Sequence, residues 1–220
     1  MAKSVREVAA RRDIIREGEK PRGVNLVLTG WACRYKQLPN GRRQLVALFI
    51  PGDLCDPHVF ILKEMDHSIG ALTHVTYAEI PGSEFEAMQA GSPQLTRAIW
   101  WNELVSVGVQ REWTTNIGQR TAFERIAHLF CEVYARMRAA GLCSDGSCEF
   151  PLTQQDIADA TGLTPVHVNR TIQDLRRQRL VELRSRTLTI TNSEGLKDAA
   201  MFNPNYLHLE RYGASPDAKD

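Results

Sequence analysis

The chain has 220 residues, 43% of them hydrophobic and 24% charged, enough for one large or two modest domains with real apolar cores. Its formal net charge is +1, so a surface for a polyanion must be local, and a non-specific nucleoid protein, which needs strong overall basicity, is not expected. No stretch approaches the length of a membrane span and no early apolar run is flanked like a signal peptide, so a cytoplasmic protein with no membrane partner is expected.

Residues from about Asp13 to Ala90 read as β structure. Short apolar runs, "VNLVLTG", "ACRYKQL" and "QLVALFI", alternate with turns such as "PNG" at Pro39 and "PGD" at Pro51. Strands at that spacing suggest a small antiparallel roll or barrel. The hairpin tip "PNGRRQ" reads as a solvated basic turn. The pattern changes at Ser92-Pro93, where a long helix runs to about Thr115. Leu95, Ile99, Val105, Val109 and Trp113 form one apolar stripe on it, and Trp100, Leu104 and Val107 form another. A helix apolar on two sides needs two partners, here the roll and a copy of itself. The first stripe is assigned to the homodimer. Asn102 and Ser106 interrupt the pattern, so the seam is an imperfect coiled coil. Trp100 and Trp101 read as packing and dimer residues, and Trp31 and Trp113 likewise. "TNIGQR" around Gly118 is expected to break the helix.

A second helix is expected from about Thr121 to Ala140, with Ile126, Leu129, Phe130, Val133 and Met137 on one face. "AGLCSDGSCEFP" reads as a loop. Thr153 then opens a helix with a capping box completed by Asp156. Gly162 permits a sharp turn. Thr164 caps a further helix with Pro165 at its first position, where the missing N–H costs nothing. Ile157, Ala158, Leu163, Val168, Ile172 and Leu175 fall where two crossed helices bury them together, and a short hairpin, "LVELRSRTLTIT", follows. This is a helix-turn-helix with a wing. Its outer face carries Val166, His167, Asn169, Arg170, Gln173, Arg176 and Arg177. From Pro165 to Arg186 six arginines face only Asp174 and Glu182, a local charge of +4. A polar helix N-terminus fits the major groove of double-stranded DNA, and arginine suits guanine edges. Arg176, Arg177 and Arg186 are candidates for phosphate contact. The final segment begins with Ser193 as a helix cap and ends in a polar tail.

The segment "LTQQDIADATGLTPVHVNRTIQDLRRQRLVEL" resembles the winged helix-turn-helix of Crp/Fnr-type bacterial transcription regulators. The order of parts agrees over residues 10 to 195. The resemblance implies an α+β protein: an antiparallel β-roll of the double-stranded β-helix type (1–91), a central dimerisation helix and hinge (92–118), a winged helix-turn-helix (119–192) and a tail (193–220). It implies a homodimer on a two-fold symmetric operator and contact with RNA polymerase. By position, Arg170 matches the family's base-reading arginine. Val166 stands where well-known members place a polar reader and is suited to a thymine methyl instead. Asn169 is added as a base-reading candidate. Thr153, Gln154, Gln155, Thr164 and His167 match phosphate-contacting positions, which place the helix without reading sequence.

The roll of this family often binds a cyclic nucleotide through an arginine on the phosphate. The matching stretch, from Pro51 to Glu79, has no arginine and only Lys63 as a cation, so cAMP is not expected. The cysteine cluster of the oxygen-sensing branch is absent too, since no cysteine precedes Cys33. Cys55, His58, His67 and His74, with Asp56 and Asp66 nearby, remain candidates for an effector, haem or metal site. The competing reading has them hydrogen-bonding turns in a roll that senses nothing. Five cysteines are an odd count and read as free thiols, with Cys131 in a core. Cys143 and Cys148 bracket the turn "SDGS", and a redox pair there is an alternative. No nucleophile elbow, phosphate loop, zinc-protease motif or paired-carboxylate site is present. Cys55 and His58 are close in sequence only, so no enzyme is expected.

Overall fold

A computed structural model describes residues 4–209; the polar tail beyond them lies outside the described residues. The roll contains β1 (Ser4–Val8), β2 (Asp13–Ile15), β3 (Gly23–Thr29), β4 (Ala32–Gln37), β5 (Arg43–Phe49), β6 (Leu54–Cys55), β7 (Ser68–Ala71) and β8 (Val75–Pro81). They form two antiparallel sheets, ordered β1-β8-β3-β6 and β2-β7-β4-β5. Val27 and Val75 of one sheet pack with Ala32, Phe49, Ile69 and Ala71 of the other. Side chains alternate across each strand. Ala32 therefore points into the roll, while Cys33 and Tyr35 point out to a second core.

Two boundaries differ from the sequence reading. β1 precedes Asp13, but as an edge strand with Val5 exposed it carries no apolar alternation. Gly82–Ala90 is a helix, α1, not β structure. Among its residues only Gly82 and Phe85 are buried, too few to show a helical period.

Helix α2 spans Pro93–Gln119, capped by Ser92, whose hydroxyl accepts from the Leu95 N–H at 3.2 Å. It passes through Gly118 without a break and stops only where Arg120 turns extended. Nothing packs on Gly118, so glycine there costs some helix propensity and no more. Helix α3 (Ala122–Ala139) starts at once from a capping box between Thr121 and Glu124.

The α2–α3 corner is filled by a buried polar cluster. The Trp113 indole N–H and the Tyr206 hydroxyl both donate to Glu132, which is fully buried. Burial raises the Glu132 pKa. The Asn116 amide donates to Nδ1 of His128 at 3.1 Å. Burial, with the nearby Arg120 cation, pushes the His128 pKa down to about 3, so the folded protein holds it neutral. Stability from His128 is present above its unfolded value near 6.5 and is lost as pH falls from there towards 3. We expect the wild type to lose about 2 kcal/mol from this group between pH 6.5 and 5. Urea denaturation of a His128→Asn variant should lack that loss. Parallel falls for both proteins would show that this proton is not linked to folding.

The C-terminal half adds β9 (Cys143–Ser144), β10 (Ser147–Glu149), α4 (Gln154–Thr161), α5 (Pro165–Arg177), β11 (Val181–Arg184), β12 (Thr187–Ile190) and α6 (Ser193–Ala200). The segment read as a loop is thus a hairpin, and it extends the wing to a four-stranded sheet, β11-β12-β10-β9. Its strands are too short to announce themselves by pattern. Asn192 caps α6, not Ser193, accepting from the Gly195 N–H at 3.0 Å. After α6 the chain doubles back. The Tyr206 carbonyl lies where a Cβ on Gly108 would meet it at 3.0 Å, so the return packs closely on α2 at this glycine and a larger residue would push it outwards.

One continuous core runs from the outer face of the roll to the helix-turn-helix. It joins Trp31, Tyr35 and Leu45 to Phe130, Phe150, Ile157 and Leu175. Phe150 stands edge-on to both Trp31 and Phe130. No described helix is long and apolar enough to cross a membrane.

Candidate nucleic-acid interface and roll cavity

Local rules place the reading helix. Thr153 accepts from the Asp156 N–H at 3.2 Å while Asp156 accepts from the Thr153 N–H at 2.9 Å, closing the capping box on α4. Gly162 then adopts φ 67°, a left-handed conformation that favours glycine. Thr164 caps α5 by accepting from the His167 N–H at 3.3 Å, with Pro165 in its first turn. Val168, Ile172 and Leu175 are buried. By helical period the opposite face is left to solvent: Val166, Asn169 and Arg170 are all exposed, Val166 to 72%. An exposed valine at a helix start has no packing role here.

The phosphate candidates Thr153, Gln154, Gln155, Thr164 and His167 are exposed along the starts of α4 and α5. The two threonine hydroxyls serve as caps as well. The arginines differ. Arg177 is paired with Asp174. Arg176 turns towards the wing, with its Nε 3.4 Å from Glu182. Arg186 sits at the wing tip at φ 61°, exposed, between β11 and β12.

The stripe expected at the dimer interface packs largely within its own chain. Ile99, Val109 and Trp113 are buried within the single chain, and Leu95 and Val105 pack partly against the same cores. Ile99 meets Val24 and Phe85, and Trp113 meets Glu132. These five residues hold α2 to its own protomer. The exposed stripe is Trp100 at 61%, Leu104 at 65% and Val107 at 44%. Its spacing of four then three continues through Arg111, Thr114 and Gly118, the a/d period of a coiled-coil seam.

The roll's histidines are scattered. Cys55 lies in the core, and burial raises its thiol pKa. His58 sits among Phe60, Phe85 and Trp100. His67 bonds Asp66 and Asp56 at 2.6 and 2.8 Å. His74 is 3.4 Å from Glu7 on β1. Among the described residues no group of three His, Cys, Asp or Glu side chains is placed to hold a metal ion. Cys143 and Cys148 face each other across β9 and β10, and both are free. Burial raises both thiol pKa values, Cys148 to about 12.

A residue the sequence reading missed is Arg34. Two adjoining cavities of about 410 and 560 Å³ lie between the roll and α2, and both are lined by Arg34, Asp56 and Glu103. Arg34 comes from β4, on the inward side with Ala32, outside the stretch searched for a cation. Its guanidinium pairs with Asp56 and lies 5.5 Å from the centre of the Phe49 ring. Burial lowers the Arg34 pKa and raises that of Glu103.

The roll also touches the helix-turn-helix directly. Arg11 donates to both oxygens of Asp156, at 2.5 and 2.8 Å. Arg43 donates to Asp159 at 2.8 Å and to Asp156 at 3.2 Å. Burial on its own would raise the Asp156 pKa, but the bonds from Arg11 and Thr153 outweigh it and hold it below the usual carboxylate value.

Comparison with known proteins agrees with this architecture. Residues 5–91 match the model of the cyclic nucleotide-binding domain, and residues 124–199 match the Crp-like helix-turn-helix domain. The chain is 30% identical to the transcriptional activator protein FnrL of Cereibacter sphaeroides, over 82% of this chain and 73% of that one. The chain belongs to the Crp/Fnr family. It is 36% identical to the nitrogen fixation regulation protein FixK of Bradyrhizobium diazoefficiens, over 69% of this chain and 62% of that one. Its fold matches the structure of FixK2 from Bradyrhizobium japonicum with a TM-score of 0.80 at 24% identity, covering 89% of this chain and 96% of that one. These relatives are transcription regulators and not enzymes, and the chain is a Crp/Fnr-type regulator with a helix-turn-helix DNA-binding domain.

Proposed function

We propose that the protein is a cytoplasmic, homodimeric regulator that reads a two-fold symmetric operator. The carrying observation is the solvent face of α5: Val166, Asn169 and Arg170 stand free at the start of a helix whose other face is buried. Arg170 would take a guanine edge and Val166 a thymine methyl. The capped starts of α4 and α5, with the wing tip at Arg186, would hold phosphates. A second copy would cover the seam of Trp100, Leu104 and Val107, which places two reading helices on one side of the duplex. Two relatives' names, a transcriptional activator and a nitrogen fixation regulator, support activation with RNA polymerase as the further partner.

The effector is not a cyclic nucleotide on this reading. The buried cation of the roll cavity is already matched by Asp56, so a cyclic phosphate would have to displace a carboxylate to gain its charge-assisted bond.

Selection from random-sequence DNA at near-physiological salt tests the operator. An inverted repeat is expected. Arg170→Ala should then lower the preference for that repeat by about ten- to a hundredfold, with the dimer intact in sedimentation. An equal loss on all sequences would show that Arg170 does not read bases.

A further inference from the structure

We propose that Arg125 fixes the angle between the dimer helix α2 and the reading head, and so sets the half-site spacing that the dimer accepts. This rests on the dimer and operator reading above and adds the positioning residue that makes it selective for spacing. A helix ends in carbonyl groups that have no partner within the helix and in a partial negative charge. Arg125, in the first turn of α3, joins two such ends. Its Nη1 donates to the carbonyl of Thr161, the last residue of α4, at 2.6 Å. Its Nη2 donates to the Ile117 carbonyl of α2 at 3.1 Å and to the carbonyl of Arg120, the C-cap of α2, at 2.9 Å. Among the described residues no carboxylate pairs with Arg125, so the cation serves the two helix ends alone.

The bridge is a fork and not a point charge. A guanidinium holds its arms in one plane, so the carbonyls it joins are fixed in angle as well as in distance. Thr161 leads into the Gly162 turn, and α5 begins at Pro165. At the other end of the bridge, α2 carries the exposed seam of Trp100, Leu104 and Val107. Arg125 therefore lies on the path from the seam to the reading helix. From the roll, Gln44 donates to the Ala160 carbonyl at 3.3 Å. That bond ties α4 to the roll, and Arg125 ties it to α2. Two such paths, one in each protomer, set both the separation and the relative rotation of the paired α5 helices. DNA is demanding on both counts. One base pair added between half-sites moves them about 3.4 Å apart and turns one by about 35° relative to the other.

The test uses the full chain and the half-site recovered by selection. Duplexes carry that half-site once, or twice as an inverted repeat with the selected spacer or with one base pair more or fewer. Affinity is measured by fluorescence anisotropy for the wild type, Arg125→Gln and Arg125→Lys. Lysine keeps a charge at the helix ends, but as a point donor it cannot hold both ends in one plane. The wild type should prefer the selected spacer by roughly tenfold, because only there do both half-sites engage at once. Both variants should remain dimers in sedimentation and bind the single half-site within about twofold of wild type, which also shows that they are folded. They should bind the selected repeat roughly tenfold more weakly, with their preference among spacers below about threefold. If glutamine lowers half-site binding as well, the lysine variant decides. Three results overturn the proposal: a wild type that binds all spacers alike, a lysine variant that keeps the wild-type preference, or a lysine variant that loses equally on half-site and repeat, as a merely destabilised fold would. If selection with the wild type yields no repeat, the operator reading fails and this one with it. If a repeat is recovered but its spacers are bound alike, the operator reading stands and the role of Arg125 alone falls.

Discussion

Replacing Leu104 with glutamate is expected to turn the protein into a monomer that binds its operator more than about a hundredfold more weakly, because the second half-site is then no longer held at high effective concentration. Leu104 is 65% exposed in the single chain, so the substitution disturbs little packing within the protomer and should leave folding unchanged. In the dimer the seam would face two glutamates against each other in an apolar strip, where unpaired charge is costly. Sedimentation at micromolar concentration reports the assembly, circular dichroism the fold, and anisotropy the DNA affinity. A Leu104→Glu protein that sediments as a dimer would show that the seam of Trp100, Leu104 and Val107 is not the interface. The matched control is a helix position outside the seam, such as Thr115→Glu, which is exposed and should behave as wild type.

The second large effect is expected at Asp156. Its carboxylate is fully buried and accepts from Arg11, Arg43 and Thr153 together. Alanine there would leave Arg11 without its partner, take one of two carboxylates from Arg43, which keeps Asp159, and remove the Asp156 half of the α4 capping box. Removing one member of a buried ion pair costs about 3–5 kcal/mol. Arg11 is 45% exposed and Arg43 28%, so solvent recovers part of that, and we expect about 2–4 kcal/mol from urea denaturation. The pH dependence has a definite sign. The folded pKa of Asp156 lies below its unfolded value. Its stabilisation is therefore present above about pH 4 and is lost as pH falls through the folded value. The Asp156→Ala protein should accordingly show a shallower loss of stability below pH 4 than wild type. A cost under about 0.5 kcal/mol, typical of a surface change, would mean that the two arginines reorganise without it.

The parts of this molecule that were readable in advance are those fixed by neighbours in sequence. The α4–α5 turn was legible because Thr153, Asp156, Gly162, Thr164 and Pro165 each act within a few residues, through caps and one left-handed glycine. The exposure of Val166, Asn169 and Arg170 followed from helical period alone. Which stripe of α2 turns inward was not legible, for a physical reason. The helix has two apolar stripes, and only the position of Phe85 and Glu132, far along the chain or on another element, decides which stripe turns inward. Arg34 escaped notice because alternation in β4 shows that its residues have two sides without showing which side is the interior. The contacts of Arg11 with Asp156 link residues 145 positions apart, and nothing local to either residue announces the other. The strands β9 and β10 are two and three residues long, below the length at which period can be seen.

Asp156 also bears on how the chain comes apart. The same carboxylate that begins helix α4 is the one that the roll holds, and the apolar core crosses the same boundary from Leu45 to Ile157. The α4 terminus is therefore not autonomous: detached from the roll, it would expose its capping group to water and give up the apolar surface beneath it. A boundary that looks natural in the order of the motifs is thus not a boundary of cooperativity. The two halves should melt as one unit, and a fragment cut between them would begin its reading domain with a frayed first turn.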